Sequence, residues 1–390
     1  MILSTFSVPR LQSISWLSTG LLMFLAVICI SGCSGSKRRL AAELKPISSP
    51  MNIERVWSVS VGKSTPLTFQ PILNGDDIYT ASVDGEIYRI DAMTGRVVWR
   101  VSIGTNIYSG VGTDGRVLVV ANNKGRVFAF NAQSGAALWN TSVDTEVLTE
   151  PLVAGSTIVI RSINNRMVAL DTATGKRRWV NQLAQSALNL RTSYSMLPIN
   201  NEVLLTGVSG GRFGVFNLAN GNVIWESLLA PPKGVSEIER LSDITSRPSL
   251  LANWMCTVSY QGKIGCGDIK VAAMLWTKDF SSYYGVSQLG QKVFAVNEKS
   301  HIVAFDSQKG DELWRNELLM WRDIGEPLAT GKVVIAGDGQ GYVHLFSQDN
   351  GSLLGRVRVD SSPVNAQPIA INGLMIFQSK AGTLAAYRIQ

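Results

Sequence analysis

The stretch GVSGG, residues 207–211, is the clearest candidate for catalytic chemistry in this sequence, because G-x-S-x-G surrounds the nucleophilic serine of many hydrolases. That pattern exposes its serine only where a strand turns sharply into a helix, whereas Ser209 is predicted to lie in a turn between two strands. The two histidines, His301 and His344, are 43 residues apart at unlike points of a repeating pattern, which gives little support to a catalytic triad or a metal site. We therefore predict no hydrolase and no metal centre, and we interpret both histidines as ordinary strand or turn residues.

The four cysteines form two groups. Cys29 and Cys33 lie in an apolar N-terminal region, whereas Cys256 and Cys266 flank the stretch SYQGKIG. This stretch predicts a turn that places Cys256 and Cys266 on neighbouring strands of one hairpin. In an oxidising compartment a cross-strand disulfide is favoured, and two buried thiols are the alternative.

Tryptophan marks a repeat that runs through most of the chain. It recurs at one phase, at intervals of 38 to 51 residues, as Trp57, Trp99, Trp139, Trp179, Trp225, Trp276 and Trp314. In YRIDAMTGRVVW, FAFNAQSGAALW and VALDTATGKRRW, an Asp or Asn comes first, a Gly follows four residues later and the Trp four residues after that. The Asp or Asn can fold onto the backbone of a turn, and the Gly can take a positive φ. The period predicts four-stranded propeller blades, in which the Trp ring fills the gap against the next blade.

The two ends of the repeat predict how the ring closes. The C-terminal GTLAAYRIQ lacks the final turn and Trp, while ERVWSVSV near the N-terminus supplies a Trp strand with no preceding turn. We therefore predict an all-β fold, an eight-bladed β-propeller over residues 51–390. Residues 54–62 would form the outer strand of a split blade whose three inner strands come from about 364–389. This closure leaves no open sheet edge, and a stack of β-sandwiches would not explain the circular offset.

The N-terminus has the features of a lipoprotein signal. The apolar run at residues 21–30 has the length of a signal-peptide core and is too short to span a bilayer. The following ISGC resembles a bacterial lipobox, which implies that residues 1–32 are removed and that Cys33 is lipidated. An ordinary secretory signal with a chance cysteine is the alternative. Several acyl chains on one residue would anchor the protein stably.

The residues after Cys33 predict where the protein is located. Ser34 stands where an Asp would favour retention in the inner membrane, so we expect a lipid-anchored protein on the periplasmic side of the outer membrane. Residues 33–50 include the basic KRRL and no apolar period, and they are predicted to be a flexible tether. Of the formal net charge of +7, the first 50 residues carry +4. The rest is nearly balanced and has no basic block interleaved with aromatics, so we predict no nucleic-acid binding.

The repeat also resembles the tryptophan-docking repeat of quinoprotein dehydrogenases, which would imply a quinone and a calcium ion on the propeller axis. The sequence lacks the adjacent cysteine pair that often caps such a site. Eight blades of about 42 residues each use nearly all of the chain after residue 50, so no long insertion remains to cover a cofactor. We therefore predict a protein that is not an enzyme and that has no cofactor.

Two connections between predicted blades are longer than the others. Pro151 comes 12 residues after its tryptophan, whereas Pro198 comes 19 and Pro248 comes 23 residues after theirs. The excess lies in residues 184–197 and 230–247. Both segments join an outer strand to the inner strand of the next blade, so they are predicted to lie side by side on one face. Such insertions usually form a binding surface, and tolerated surface decoration is the alternative.

The lipobox, the eight repeats, ALNLR at 187–191 and SEIERLSD at 236–243 together resemble the BamB family, lipoprotein subunits of the machinery that inserts β-barrels into the outer membrane. The resemblance covers the whole mature chain. It implies that an L-x-L-R segment and the acidic residue after R-L-S contact the periplasmic domains of the central barrel subunit, BamA. In this sequence those positions are Leu188, Leu190, Arg191 and Asp243. Thr245 stands where the family has a second acidic residue, so a second charged contact is not expected.

These positions make physical sense as an interface. Two exposed leucines would form an apolar centre, and Arg191 and Asp243 would form charged hydrogen bonds at its rim. An exposed strand edge of the partner would suit an extended loop. Unfolded outer-membrane protein precursors are a second candidate partner. The alternative function is a general periplasmic scaffold or a cell-wall-linked adaptor that uses the same face.

Overall fold

Short runs of β-branched, aromatic and small residues form strands between glycine-containing turns. The structure is a computed structural model, and it describes residues 39–48, 50–64, 69–184 and 194–390. Inner strands are buried on both faces, as in TIVIR at Thr157–Arg161. Outer strands alternate, as in RRWVNQ at Arg177–Gln182, where every second residue is exposed. This difference is expected when each sheet is covered by a neighbouring sheet on both sides and only its outer strand meets solvent.

The described residues form 32 strands, grouped in eight four-stranded antiparallel sheets. The first four sheets in chain order consist of β2 (Ile72–Asn74), β3 (Asp77–Ala81), β4 (Glu86–Asp91) and β5 (Val97–Ser102); β6 (Val111–Thr113), β7 (Val117–Ala121), β8 (Arg126–Asn131) and β9 (Ala137–Ser142); β10 (Leu152–Ala154), β11 (Thr157–Arg161), β12 (Arg166–Asp171) and β13 (Arg177–Gln182); and β14 (Met196–Ile199), β15 (Val203–Val208), β16 (Arg212–Asn217) and β17 (Val223–Leu228).

The remaining sheets consist of β18 (Ser249–Leu251), β19 (Trp254–Val258), β20 (Lys263–Asp268) and β21 (Ala273–Asp279); β22 (Val286–Leu289), β23 (Lys292–Val296), β24 (Ile302–Asp306) and β25 (Glu312–Asn316); β26 (Leu328–Thr330), β27 (Val333–Gly337), β28 (Tyr342–Ser347) and β29 (Leu353–Arg358); and β1 (Ile53–Ser60) with β30 (Ile369–Ile371), β31 (Leu374–Gln378) and β32 (Thr383–Ile389). We number these sheets blades 1 to 8 in the order given.

The inner strands of successive blades contact one another around the ring, for example β2 with β6, β6 with β10, and β18 with β22. The hydrophobic core lies between neighbouring sheets. One cluster, for instance, joins Val119 of blade 2 to Ile158 of blade 3. This architecture confirms the predicted eight-bladed β-propeller.

The repeated tryptophans dock on the turn of the next blade. The Trp57 indole donates a hydrogen bond to the carbonyl oxygen of Ala92 (3.1 Å), directly after the turn residue Asp91. A Cβ on Gly95 would lie 2.6 Å from the Trp57 ring, so only glycine lets the ring lie flat on this turn. Equivalent indole hydrogen bonds, of 2.8–3.0 Å, are made by Trp99, Trp139, Trp179, Trp276 and Trp314. The glycine of the repeat thus provides a positive φ and also leaves room for the ring.

Ala272 and Gly355 depart from the repeat, and the structure compensates for Gly355 directly. Ala272 takes a positive φ of 55° where other blades have glycine. Gly355 replaces the tryptophan of blade 7, and a Cβ there would lie 2.9 Å from the Ile53 side chain. The start of β1 therefore fills the space that a tryptophan fills elsewhere.

The ring closes through a split blade, as predicted. Strand β1 pairs antiparallel with β32, from Ile53 opposite Ile389 to Ser60 opposite Thr383. The sheet order β1-β32-β31-β30 places the N-terminal strand outermost. The last blade is therefore built from both ends of the described chain, and its outer strand starts one residue earlier and ends two residues earlier than predicted.

The predicted tether over residues 33–50 needs a correction in its last part. The Ala42 amide donates to the Met320 carbonyl (2.9 Å), and Arg322 donates to the Ala42 carbonyl (2.9 Å). Leu44 packs against the core cluster between blades 6 and 7. These contacts join residues about 280 apart, which a local sequence pattern does not encode. Residues 41–48 therefore lie along the propeller instead of forming part of a free linker.

The residues considered for catalysis lie in strands and turns of separate blades. Ser209 lies in the turn between β15 and β16, as predicted, and is buried. His344 lies on β28, where its Nε2 is 3.0 Å from Asp338 Oδ2. Burial would raise the pKa of Asp338, but hydrogen bonds from His344 and Arg322 hold that pKa below its usual range. His301 lies just before β24 in another blade. Within the described ranges, no group of three or more His, Cys, Asp or Glu side chains could hold a metal ion.

Cys256 and Cys266 stand directly opposite each other on β19 and β20, and their sulfur atoms are bonded. The hairpin predicted from SYQGKIG therefore brings the two residues together.

Mass mapping of the oxidised protein should find Cys256 linked to Cys266. The bridge closes a loop of 10 residues, and the chain-entropy model gives a stabilisation of about 2–3 kcal/mol for a loop of that size. A Cys256→Ala/Cys266→Ala variant should therefore fold, with a lower denaturant midpoint. Two free thiols under periplasmic redox conditions, or an unchanged midpoint, would contradict the disulfide as a stabilising feature.

Candidate functional site

The described ends of the two long connections lie on the same face of the ring and flank blade 4. The first runs from β13 to β14 and the second from β17 to β18. Every passage from an outer strand to the next inner strand emerges at this face, which we call the connection face. The opposite face carries the turns between the third and fourth strands of each blade. The predicted placement of the two connections on one face is therefore confirmed.

The second connection presents two aliphatic side chains to solvent. Val235 is 99% exposed and Ile238 is 65% exposed. The backbone between them is fixed by a capping box, in which Glu239 Oε2 accepts the Ser236 amide (3.1 Å) and Ser236 Oγ accepts the Glu239 amide (3.3 Å). Glu239 Oε2 also accepts the Val235 amide (2.9 Å), and the amides of Ser236 and Val235 lower the pKa of the Glu239 carboxyl group. An ordered turn with two uncovered aliphatic residues has the form of a contact surface.

The sequence contains a local signal for this turn. Ser236 and Glu239 form the S-x-x-E pattern of a capping box. Val235 and Ile238 are three residues apart, a spacing that places both on one side of a helical turn. We call Val235 and Ile238 the apolar tip of the second connection.

The structure describes only one of the four partner-binding positions predicted from the family resemblance. Leu188, Leu190 and Arg191 lie outside the described residues. Asp243 is 1% exposed, so its carboxylate does not stand at the rim of an exposed patch as expected. It accepts hydrogen bonds from Tyr194 Oη (3.0 Å) and from the Gly210 amide (3.3 Å). The rim position predicted for Asp243 is therefore corrected to a buried one.

Backbone contacts also join the ends of the two connections. Ser195 donates its amide hydrogen to the carbonyl oxygen of Thr245 (3.2 Å), and Tyr260 donates to the carbonyl of Asp243 (3.0 Å). Thr245, the position without the second acidic residue, is itself buried. The segments that enter β14 and β18 are thus held against each other and against blade 5.

A cleft of about 540 Å³ lies beside the second connection, between blades 5 and 6. Lys233, Lys263, Asp279 and Glu298 are among its lining residues, and Lys263 forms an ion pair with Asp279 (2.9 Å). Lys233 lines the cleft and precedes Val235 of the apolar tip by two residues, so a partner that covers the tip would have charged groups nearby.

A second cavity, of about 410 Å³, opens at the axis of the connection face. It is lined by the residues that precede the inner strands, including Gln70, Glu150, Arg247 and Glu326. Burial raises the pKa of Glu326 to about 7; the nearby Arg247 opposes this shift and Glu150 adds to it. The axis of the ring therefore holds a carboxyl group that titrates near neutral pH.

This carboxyl group predicts a pH-dependent stability. Between its ordinary pKa of 4.5 and about 7, the folded protein keeps a proton on Glu326 that the unfolded chain has released. Stability should therefore fall as the pH rises through this interval. Glu326→Gln removes the effect and should stabilise the protein by about 1–2 kcal/mol at pH 8.5, after allowance for solvent in the open cavity.

Urea unfolding of the wild type and Glu326→Gln at pH 5 and pH 8.5 checks this prediction. The two proteins should differ much less at pH 5 than at pH 8.5. Glu150→Gln should give a smaller effect of the same sign, because it removes one charge that raises the Glu326 pKa. An equal difference at both pH values would contradict the assignment.

Comparisons with known proteins show which family this chain belongs to. A family model described as "Outer membrane protein assembly factor BamB" matches residues 83–316 and 298–390. The chain belongs to the BamB family. The relative from Pseudomonas aeruginosa is 41% identical over 373 residues, which cover 95% of this chain and 98% of that protein. The relative from Burkholderia pseudomallei is 35% identical over 365 residues, covering 93% and 96%.

Solved structures agree with this assignment at the level of fold. The crystal structure of BamB from Moraxella catarrhalis superposes with a TM-score of 0.79 at 23% identity, covering 86% of this chain and 100% of that one. A quinohemoprotein alcohol dehydrogenase from Pseudomonas putida HK5 gives 0.68 at 14% identity, covering 86% and 76%. The enzyme shares the propeller alone, whereas the sequence relatives are assembly factors. Membership of the BamB family thus confirms the predicted role in outer-membrane protein assembly. It also confirms the prediction that this protein is not an enzyme.

Proposed function

We propose that this protein is a lipid-anchored scaffold subunit that binds the periplasmic domains of BamA through its connection face. The observation that carries the proposal is the apolar tip, which a hydrogen-bonded turn holds exposed on the second connection. The neighbouring first connection contains Leu188, Leu190 and Arg191. Binding interfaces typically centre on a few apolar anchors surrounded by polar groups. The tip and the two leucines supply such anchors, and Arg191 supplies a charged donor.

The mode of contact follows from the chemistry of the two connections. The alternating leucines of an L-x-L-R segment suit pairing with an exposed strand edge, in which backbone hydrogen bonds provide affinity and side chains provide selectivity. The tip would cover apolar surface beside that edge. Precursors of outer-membrane proteins, which are extended and apolar before they fold, would be further ligands for the same chemistry.

The proposed membrane attachment agrees with the position of the N-terminal segment. Cleavage after residue 32 would leave Cys33 as the acylated N-terminus, and the basic residues that follow would lie near anionic lipid. Ala42 is held by Met320 and Arg322 at the passage from β25 to β26, which belongs to the connection face. The nine residues from Cys33 to Ala42 span at most about 30 Å. In this proposal, the anchor would keep Ala42, at the connection face, within about that distance of the membrane. Among the described residues, no helix is long and apolar enough to cross a membrane.

Purification of the full-length lipoprotein from detergent-solubilised membranes tests the proposal. BamA should co-purify, and an anchor variant, Cys33→Ala, should lose outer-membrane attachment while its propeller still folds. Recovery of other periplasmic proteins without BamA would contradict the proposed partner. Outer-membrane fractionation of the anchor variant at the wild-type level would contradict the proposed lipidation.

A further inference from the structure

We propose that Asp243 serves partner binding as a positioning residue: with Tyr194 and Arg161 it forms a buried bridge that fixes the ends of the two long connections relative to each other. This inference rests on the proposed function, because it explains how two separate segments form one surface. It differs from a direct role for Asp243, whose side chain is almost completely buried.

The bridge begins with a buried cation. Arg161, at the end of β11, is 0% exposed. Its guanidinium donates to Thr206 Oγ1 (2.8 Å), to the Gly207 carbonyl (2.5 Å) and to Asn165 Oδ1 (2.9 Å). These hydrogen bonds tie blade 3 to blade 4, because Arg161 and Asn165 belong to blade 3 and Thr206 and Gly207 both belong to β15. Burial lowers the pKa of Arg161 only to about 10, so it remains charged at neutral pH.

Tyr194 connects this cation to Asp243. Its ring lies 4.2 Å from the guanidinium carbon of Arg161, a distance at which a buried cation–π contact is favourable. Its hydroxyl donates to Asp243 Oδ2 (3.0 Å), and its backbone amide donates to Thr149 Oγ1 (3.0 Å). Burial raises the pKa of the Tyr194 hydroxyl, which keeps the proton needed for this hydrogen bond.

The three residues belong to three separate parts of the face. Arg161 belongs to the rigid sheet of blade 3, Tyr194 to the end of the first connection, and Asp243 to the end of the second. Charged hydrogen bonds are directional, so they fix an orientation that apolar packing alone would leave variable. The bridge therefore sets where both connections leave the ring, although its own atoms are shielded from any partner.

The ring contains a matched pair at another place. Tyr284 Oη donates to Asp323 Oδ1, also at 3.0 Å. As in the bridge, the tyrosine lies two residues before an inner strand, β22, and the aspartate lies in the next connection, before β26. Tyr284→Phe thus removes a Tyr–Asp hydrogen bond of the same length that is more exposed and involves neither long connection, and it serves as the control for Tyr194→Phe.

The experiment compares full-length Tyr194→Phe, Tyr284→Phe, Asp243→Asn and Asp243→Ala lipoproteins in detergent. Tyr194→Phe should weaken capture of BamA on the order of tenfold, the effect of one lost hydrogen bond to a charged group, and Tyr284→Phe should not. Asp243→Asn keeps an oxygen that can accept the Tyr194 hydrogen bond, so its capture should be closer to wild type than that of Asp243→Ala. The weaker capture of BamA by Tyr194→Phe and by Asp243→Ala should persist in high salt, because the affected charges are buried.

A direct charged contact between Asp243 and the partner predicts the reverse. In that case Asp243→Asn would be as defective as Asp243→Ala, Tyr194→Phe would capture BamA like the wild type, and high salt would reduce the difference between variants and wild type. Any of these three results would overturn the positioning role.

Hydrogen exchange of the free proteins separates this inference from the proposed function. Without any partner, Tyr194→Phe should raise exchange in peptides covering residues 231–241 by about tenfold over the Tyr284→Phe control, since the end of that connection loses a fixed contact. Unchanged exchange would overturn the bridge even if BamA binds. If exchange rises as expected but wild-type protein does not capture BamA, the proposed partner is wrong and the bridge stands.

Discussion

Deleting β1, residues Ile53–Ser60, should convert a stable propeller into a protein that aggregates or unfolds at a much lower temperature. The deletion removes the outer strand of blade 8 and exposes the whole edge of β32, which pairs with β1 along its length. It also removes the Trp57 ring from Gly95 and from the Ala92 carbonyl, and so opens the junction with blade 1. Truncation of a fully buried tryptophan costs about 3–5 kcal/mol, and loss of the half-buried Trp57 ring contributes part of that cost.

We expect a fall in melting temperature of more than about 10 °C, measured by thermal unfolding of the protein without its lipid anchor. Deletion of residues 34–38 is the control and should leave the melting temperature unchanged. Deletion of residues 41–48 should have an intermediate effect, because Ala42 and Leu44 contact blades 6 and 7. Equal tolerance of the β1 deletion and the 34–38 deletion would rule out closure of the ring by β1.

Substitutions in the two long connections should weaken partner binding without unfolding the propeller. Alanine at Leu190 or Arg191, or serine at Ile238, should each weaken BamA binding by about 1–3 kcal/mol if these side chains are central contacts. Arg191→Glu should be worse than Arg191→Ala, and high salt should reduce that extra loss. Exposed positions away from the core contribute little to folding, so melting temperatures should stay close to wild type.

The matched control for Ile238→Ser is Val271→Ser. Val271 is 66% exposed, almost the same as Ile238, but it lies in the turn between β20 and β21 on the opposite face. Its substitution removes a comparable exposed apolar group and should leave binding at the wild-type level. Equal losses for Ile238→Ser and Val271→Ser would indicate a non-specific effect of surface hydrophobicity instead of a contact face.

The periodic features of the sequence were sufficient to predict the ring. The Asp or Asn, Gly and Trp of each repeat act within one blade and its neighbour, so their spacing encodes both the four-stranded unit and its docking. The missing turn before Trp57 and the missing tryptophan after Tyr387 encode the closure in the same way. The face that carries the long connections followed from the blade order, because strand alternation determines on which side each passage emerges.

Features that depend on particular long-range contacts were not predicted. Asp243 is buried by Tyr194 and Gly210, which are 49 and 33 residues away and belong to other segments of the face. A lone aspartate in a polar loop gives no local sign of such partners, so it was expected at the surface. The hydrogen bond between Ala42 and Arg322 joins residues 280 apart, so it was not predictable from local sequence either. The apolar tip was predictable in principle from its capping box, but only the structure shows that nothing among the described residues covers it.

A photoreactive amino acid at position 238 of the full-length lipoprotein in living cells, with the same probe at position 271 for comparison, tests the partner-binding surface directly. We expect a covalent adduct with the periplasmic domains of BamA from position 238 and none from position 271. The opposite result, an adduct from position 271 or none from position 238 when both proteins accumulate at the wild-type level, would contradict the assignment of the connection face as the partner-binding surface.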